Sequence, residues 1–309
     1  MKLGIVGYGN LGKSVEKMLA FDKNHSLFGI FSRRGKSQIN AKTDRVYPQS
    51  ALFENKIELD ALILCVGSHT DLLDIAPCLA KKYNTVDSYD NHSRMKDYLS
   101  IMDKCAREGK NLSISACGWD PGFLSAVRLY FSLFFSREKT YTFWGRGVSL
   151  GHSEAIRSLS GVKYAVCYTV PYENSIDLAS SGDLLSKSSL HRRECFVVAD
   201  GNTLELAEQI KSIPDYFLGT KTDVYFIKEE EFFKYHTGTN HRARLISGDA
   251  DGTRARLEVN ITKNPDFTAK IMLSYLTALE KLKADGTVGV KTPLDIPLSC
   301  LVDDIYKYI

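Results

Sequence analysis

No stretch of this chain approaches the roughly twenty consecutive apolar residues that span a bilayer, so no membrane span is expected. An excess of either charge is missing as well. Lysine and arginine number 40 against 37 aspartates and glutamates, a net charge of +3, and the basic residues are spread without a long tract. That excludes the electrostatic footprint of a nucleic-acid partner. There is no C-x-x-C pair. None of the seven cysteines, Cys65, Cys78, Cys105, Cys117, Cys167, Cys195 and Cys300, stands at zinc-ligand spacing from a histidine. Neither a metal site nor a dithiol redox motif is expected. Most of the cysteines sit in apolar runs such as Leu62-Ile63-Leu64-Cys65-Val66 and read as reduced core residues. Internal repeats and low-complexity tracts are also missing. The first residues show no signal-peptide pattern and a strand begins at once, so a cytoplasmic protein is expected.

What is present is an ordinary globular composition, 44% hydrophobic and 25% charged, over 309 residues, a length that suits two domains better than one. The chain opens Leu3-Gly4-Ile5-Val6-Gly7-Tyr8-Gly9-Asn10-Leu11-Gly12. Leu3 to Val6 reads as a buried strand, and Leu11, Val15, Met18 and Leu19 fall on one face of a helix. Between them lies Gly7-x-Gly9-x-x-Gly12. Gly7 allows a tight turn, Gly9 lets backbone approach a pyrophosphate, and Gly12 lets helix pack on strand. The helix N-terminus then offers free N–H groups and partial positive charge to the phosphates.

Leu27 to Phe31 is the next strand, and it ends in Ser32-Arg33-Arg34. In a dinucleotide fold this strand end meets the adenosine ribose, where an acid would accept from both hydroxyls and favour NAD. Here a hydroxyl and two guanidinium groups stand instead. Guanidinium forks match phosphate, so the expected cofactor is NADP(H), gripped at its 2′-phosphate. The plainer alternative is a solvated basic turn. Strands and helices then alternate. Leu59 to Val66 runs into Gly67-Ser68-His69-Thr70, and Asp71 to Tyr83 is a helix. Asn84 to Asp87 is a strand, Arg94 to Glu108 a helix, and Asn111 to Cys117 a strand ending in Gly118-Trp119-Asp120-Pro121-Gly122. The alternation predicts a Rossmann-type, doubly wound parallel sheet over residues 1–122. Ligands on such a sheet bind beyond the carboxyl ends of the strands. Two of those tips, 88–92 and 117–122, carry an acid, Asp90 and Asp120.

From about Phe123 the rhythm changes. Residues 123–264 read as an α+β domain with a mostly antiparallel sheet, from strands near 164–170, 193–199, 224–227, 242–247 and 254–261, and a helix over 202–213. The serine-rich stretch 173–189 reads as a surface loop or mobile element. Residues 267–283 form an amphipathic helix whose stripe of Phe267, Ile271, Tyr275, Leu279 and Leu282 needs a partner. Folding back over the first domain, it would make residues 265–309 part of that domain. A sheet with one wet and one dry face invites a symmetric homodimer.

A nicotinamide enzyme must hold its donor carbon against the ring and handle a proton. The Glu-Lys-Pro motif that many two-domain oxidoreductases place after the fourth or fifth strand is absent, and Asp87-Ser88-Tyr89-Asp90 stands there. Carboxylates in a dehydrogenase site suit an ammonium-bearing substrate, an amino acid rather than a sugar.

The whole chain resembles the meso-diaminopimelate dehydrogenases. The carrying stretches include the glycine turn, Ser32-Arg33-Arg34, Tyr89-Asp90-Asn91-His92, Gly118-Trp119-Asp120-Pro121-Gly122 and Thr142-Phe143-Trp144-Gly145. Gly151-His152-Ser153, Tyr168-Thr169, Arg193 to Asp200, Pro214-Asp215-Tyr216-Phe217, His236-Thr237-Gly238 and Asn264-Pro265-Asp266-Phe267 follow in order. The resemblance implies NADP-dependent oxidative deamination at the D-centre of meso-2,6-diaminopimelate, reversible as reductive amination in lysine and cell-wall precursor synthesis, by a homodimer. Asp90 and Asp120 would lie by the reacting amino centre, with Trp119 and Trp144 shaping the pocket. Thr169, Arg193, His241 and Asn264 would hold the distal end, beside Leu150, Gly151 and Glu154. The cofactor would lie against Tyr8, Gly9, Asn10 and Leu11, with Ser32, Arg33 and Arg34 at its 2′-phosphate. It would also meet Cys65, Val66, Gly67, Ser68 and Thr70, then Ser88, Tyr89 and Asp90, and Cys117, Gly118, Trp119, Asp120 and Pro121.

Each of these residues also has a plainer role: the tryptophans and Thr169 as core, one of Arg192 and Arg193 as surface charge, His241 as an exposed loop residue, the two acids as helix caps. The chain also departs from the family pattern. Where the family shows Gln-Gly-His-Ser-Asp, this sequence has Leu150-Gly151-His152-Ser153-Glu154. The missing amide is one polar contact fewer at the distal centre, worth about 1 kcal/mol. Broader action on D-amino acids is therefore the main alternative. A sugar or polyol dehydrogenase and a non-catalytic NADP-binding regulator are the others.

Overall fold

Strand and helix alternate from the second residue: β1 (Lys2–Val6), α1 (Asn10–Leu19), β2 (Ser26–Ser32), β3 (Val46–Pro48), α2 (Ala51–Glu54), β4 (Ala61–Leu64), α3 (Asp71–Ala80), β5 (Thr85–Asp87), α4 (Met95–Glu108) and β6 (Leu112–Ile114). This is a computed structural model that describes residues 1–309 apart from 55, 56, 69 and 250, so His69 of the expected third tip lies outside the described residues. Side chains alternate across each strand. Leu3 and Ile5 of β1 join Ile63 and Ile114 in one core, while Val6 joins Leu62, Leu72 and Met102 in another. Strands buried on both faces read as unbroken apolar runs, which is why they stand out in the sequence.

The chain continues through α5 (Phe123–Phe134), β7 (Tyr141–Trp144), β8 (Gly147–Val148), α6 (Leu150–Arg157), β9 (Val162–Pro171), α7 (Glu173–Ser181) and β10 (His191–Ala199). Then come α8 (Thr203–Ser212), β11 (Thr222–Phe226), α9 (Glu229–Tyr235), β12 (His241–Gly248) and β13 (Arg254–Ile261). The single sheet expected here is two. One has four strands in the order β11-β10-β9-β8 and the other three in the order β13-β12-β7. Pairing is antiparallel except between β10 and β11, whose parallel crossover is α8. Asn202 caps α8 by accepting from the Leu204 and Glu205 N–H groups.

The stretch 173–189 is not a loop. It holds α7 and a short helical turn at Lys187–Ser189. Ile176 and Ala179, three apart, share one helix face and bury it with Tyr141, Phe143 and Ile246. Gly182 closes the helix with φ +88°, and Asp183 N–H reaches back to Leu178 O.

After β13 come α10 (Asn264–Ala284) and β14 (Gly289–Lys291). Met272, Tyr275, Leu276 and Leu279 of α10 pack in the core that holds Leu3, Ile5 and Ile114. β14 pairs in parallel with β6. The resulting sheet is parallel throughout, β14-β6-β5-β4-β1-β2-β3. The strand order reverses at β1/β4, the point where dinucleotide folds bind their ligand. By its contacts the chain divides into two units, Met1–Ala126 with Pro265–Ile309, and Val127–Asn264.

Candidate active site

In the first unit the site grows from the turn after β1. Gly7 has φ +87°, and a Cβ on Gly12 would stand 2.4 Å from the Gly7 carbonyl oxygen. Gly9 differs, because a Cβ there would meet nothing within 4 Å. It is also the N-cap of α1, and no side chain caps that end. An open, uncapped helix start bordered by two glycines that cannot be enlarged is an anion cradle. Asn10 and Leu11 form its first turn.

At the end of β2, buried Ser32 accepts from the Arg34 N–H at 3.0 Å, which folds the strand end into a turn. Arg34 Nη2 donates to the Tyr8 carbonyl at 2.7 Å, so this guanidinium lies at the glycine turn. Arg33 forks onto Asp71, the first residue of α3, at 3.0 and 2.6 Å, with its side chain 70% exposed. An exposed pair of this kind contributes little stability, and a phosphate dianion competes for it readily. Tyr8 itself is buried. Its hydroxyl donates to Glu16, whose carboxylate also accepts from the Lys42 and Thr43 N–H groups.

The other expected cofactor residues of this unit lie at the ends of β4, β5 and β6. Val66, Gly67, Ser68 and Ser88 are half-buried and Thr70 is exposed. Cys65, Cys117, Trp119 and Pro121 are buried. Tyr89 turns its side chain into the core. Its ring is 0% exposed and stacks on Tyr98 at 4.0 Å, so only its backbone belongs to the tip. Gly118 and Gly122 bring the β6 tip into a tight turn, where a Cβ on Gly122 would stand 2.0 Å from the Gly118 oxygen. Asp120 is half-buried and Asp90 is exposed. Crowding by protein raises the pKa of Asp90, opposed by a hydrogen bond from Ser68 and by His92. Asp90 is not a helix cap. Asn91 does that work, accepting from the Ser93 and Arg94 N–H groups.

The second unit gathers a different set. β9 and β10 pair Thr169 with Arg193, and β8 pairs Gly147 with Thr169. Arg193 donates to the Thr169 hydroxyl. Its Nε is buried without a partner, and its electrostatic neighbours are Cys167 and Cys195 rather than a carboxylate. Burial lowers the pKa of this guanidinium, the mark of a desolvated cation awaiting an anion. Of the adjacent arginines, Arg192 is the one that pairs with surface acids, Glu194 and Asp223. His241 is buried, not looped out, and stands so close to Gly147 that a Cβ there would meet its ring at 2.6 Å.

Two histidines join this set that sequence reasoning did not assign. His191 precedes Arg193 by two residues on the same face of β10. It accepts from the Trp144 N–H at 2.8 Å and lies 5.2 Å from the Trp144 ring. His152 lies in the first turn of α6, bonded to Ser149 Oγ at 2.8 Å and set edge-on to Tyr216 and Phe217. Burial, with Arg193 nearby, pushes both histidine pKa values down to about 3, so both rings are neutral. The two-residue spacing from Arg193 was the available signal for His191. Leu150 is 39% exposed at the start of α6, a Cβ on Gly151 would lie 3.5 Å from the Tyr216 ring, and Glu154 lies near Arg157. Asn264 is buried, with its N–H on the Thr239 carbonyl.

Among the described residues no group of three or more acidic, histidine or cysteine side chains has the arrangement of a metal site. No helix of the described residues is long and apolar enough to cross a membrane.

Residues 118–264 match the family model of the diaminopimelic acid dehydrogenase C-terminal domain. The chain is 39% identical to the meso-diaminopimelate D-dehydrogenase of Acetivibrio thermocellus, over 96% of this chain and 92% of that one. It is also 39% identical to the enzyme of that name from Corynebacterium glutamicum, over 96% and 93% of the two chains. A solved structure of the C. glutamicum diaminopimelate dehydrogenase in complex with diaminopimelate superposes with a TM-score of 0.92 at 37% identity, covering 100% of this chain and 97% of that one. An engineered D-amino acid dehydrogenase bound to NADP+ superposes with a TM-score of 0.91 at 36% identity, over 98% and 96% of the two chains.

Proposed function

The chain belongs to the meso-diaminopimelate D-dehydrogenase family, and from that premise we propose how its residues carry out the reaction. It is an NADP-dependent oxidoreductase acting on a CH–NH2 group. meso-2,6-Diaminopimelate, water and NADP+ give L-2-amino-6-oxopimelate, ammonium, NADPH and a proton, at the D-configured centre. The reverse reductive amination supplies lysine and cell-wall precursor synthesis.

The cradle fits the cofactor. The open Gly9 and the uncapped start of α1 suit a pyrophosphate, and Arg33 and Arg34 suit the 2′-phosphate. When bound, NADP+ supplies the hydride acceptor of the reaction. The chain supplies charge and position. Asp90 and Asp120 hold the ammonium of the D-centre by charge pairing and take up the proton it sheds. Trp119 and Trp144 wall the pocket. Arg193 receives a substrate carboxylate, with Thr169, His241 and Asn264 completing the grip on the distal centre and Leu150, Gly151 and Glu154 beside it.

The observation that carries this reading is the likeness to the meso-diaminopimelate D-dehydrogenases over nearly the whole chain, and the charges within each unit agree with it. Acids stand at two strand tips of one unit, and a desolvated guanidinium stands among neutral imidazoles in the other. An amino acid with a carboxylate and an ammonium at each end matches both signs. A sugar matches neither.

The protein acts as a cytoplasmic homodimer. Support for the dimer comes from α5, where Leu129, Tyr130, Leu133 and Phe134 are 44–69% exposed, an apolar run that water disfavours. Support for the compartment comes from seven free cysteines. The test of function is NADPH formation with meso-diaminopimelate, the L,L isomer, D-alanine and glucose. Activity with the meso isomer alone is expected. A rate with D-alanine equal to that with the meso isomer favours the broader D-amino acid enzyme that Leu150 suggests, and activity with glucose alone overturns the reading.

A further inference from the structure

One fully buried acid stands outside the proposed reaction and holds four donors on its carboxylate. Asp87 ends β5 and is 0% exposed. Its Oδ1 accepts from the Tyr89 N–H at 3.0 Å and the Ala116 N–H at 3.3 Å. Its Oδ2 accepts from the Ser115 hydroxyl at 2.6 Å and the Tyr98 hydroxyl at 2.9 Å. Its main-chain oxygen accepts from the Cys117 N–H at 3.0 Å. These donors come from the β5 tip, from α4 and from the β6 tip.

The position explains the chemistry. The β5–β6 ladder pairs Thr85 with Ser113 and Val86 with Ile114, and past these rungs the regular pairing gives way to the bond from the Cys117 N–H to the Asp87 oxygen. Beyond the ladder Ser115 N–H turns to Lys291 on β14, and Ala116 takes φ +57°, a conformation costly for a residue with a side chain. The two strands part just where each must present an acid, Asp90 on one and Asp120 on the other. They nevertheless stay in contact, since a Cβ on Gly118 would lie 3.3 Å from the Ser88 Cβ. Burial raises the pKa of Asp87, and the four donors around it oppose that rise. An apolar residue could fill the volume but could satisfy none of those donors.

We propose that Asp87 is a positioning residue for the reaction: its carboxylate replaces the missing rungs between β5 and β6 and fixes the Asp90 tip against the Gly118–Asp120 tip. It touches neither substrate nor cofactor and acts through the two acids. This inference rests on the reading of Asp90 and Asp120 as the groups that hold the substrate nitrogen.

The test compares Asp87→Ala, Asp87→Asn and the double variant Ser115→Ala/Tyr98→Phe in the full-length protein. Loss of positioning by about 1 Å lowers turnover on the order of 100-fold. A fall in kcat of that order is expected for Asp87→Ala, with a rise in KM for meso-diaminopimelate. Binding of 2′,5′-ADP, which reports the arginine turn at the end of β2, should stay unchanged. Asp87→Asn keeps the shape and two acceptor lone pairs and should recover a large part of the loss. A folded Asp87→Ala with wild-type kcat and KM overturns the proposal, even if its melting temperature falls. Should Asp87→Ala fail to fold, the double variant decides, and wild-type kinetics there overturn the proposal equally. An inactive wild-type enzyme would count against the reaction and not against Asp87. Trp119 emission in a Trp144→Phe background then reads the tip directly: a red shift on Asp87→Ala supports the tie, and no shift overturns it.

Discussion

Arg193 shows how much one residue's surroundings say about its task. A guanidinium with a buried, unpartnered Nε, set beside the Cys167 and Cys195 thiols, is costly to keep, and an anionic ligand removes the cost. A charge-assisted hydrogen bond is worth about 1.5–3 kcal/mol, so Arg193→Met should raise KM for meso-diaminopimelate roughly 10- to 100-fold while leaving KM for NADP+ within about twofold. Steady-state kinetics with each ligand varied in turn check this. Equal losses for both ligands would detach Arg193 from the substrate. His191 makes a prediction about pH. Burial lowers its pKa from 6.5 to about 3 in the folded protein. As pH falls through that window the unfolded chain gains a proton that the folded chain refuses, so this residue subtracts stability. His191→Gln keeps an acceptor for the Trp144 N–H and should flatten the decline in melting temperature between about pH 6.5 and about pH 3. An unchanged slope would show that the ring is not held neutral.

At the scale of elements, the first turn and helix carry a paired prediction. Gly9→Ala meets no protein atom within 4 Å, so the fold should tolerate it while cofactor binding weakens. Gly12→Ala would set a Cβ 2.4 Å from the Gly7 oxygen and should cost stability before it costs affinity. Melting temperature and NADPH titration separate the two; a large stability loss from Gly9→Ala would mean that the open space is filled by protein. Gly7 and Gly12 were legible from glycine spacing because each answers a steric demand of the local backbone, whereas Gly9 stands in open space. The strands of the parallel sheet were legible for a similar reason, since burial on both faces leaves continuous apolar runs such as Ala61–Leu64. Other elements were not. α7 buries only Ser175, Ile176 and Ala179 in nine residues, too faint a stripe to emerge from a serine-rich stretch. The two sheets of the second unit read as one because the pairing of β7 with β12, which sets Trp144 opposite Ala243, joins segments far apart in the chain and leaves no local mark. His191 lay in view beside Arg193 but reads as an ordinary strand residue until the Trp144 N–H is seen to point at it.

For the whole molecule, the proposed tasks divide by unit. The residues assigned to the cofactor lie in Met1–Ala126, and those assigned to the distal end of the substrate lie in Val127–Asn264. Cofactor choice is then a property of the first unit alone. Arg33→Ala with Arg34→Ala should raise KM for NADP+ far more than KM for NAD+ and leave KM for meso-diaminopimelate little changed, because residues that share no partner act nearly independently. Equal effects on the two nucleotides would refute the phosphate clamp.

The central claim is that the acids at two strand tips hold the nitrogen leaving the D-centre while the arginine of the other unit holds the far end. A crystal structure of the complex with NADP+ and meso-diaminopimelate tests it most directly. The account predicts the D-amino nitrogen within hydrogen-bond reach of Asp90 or Asp120, with Arg193 on the L-centre carboxylate. A substrate bound with its D-amino group away from both acids, or with Arg193 turned from it, would contradict the account.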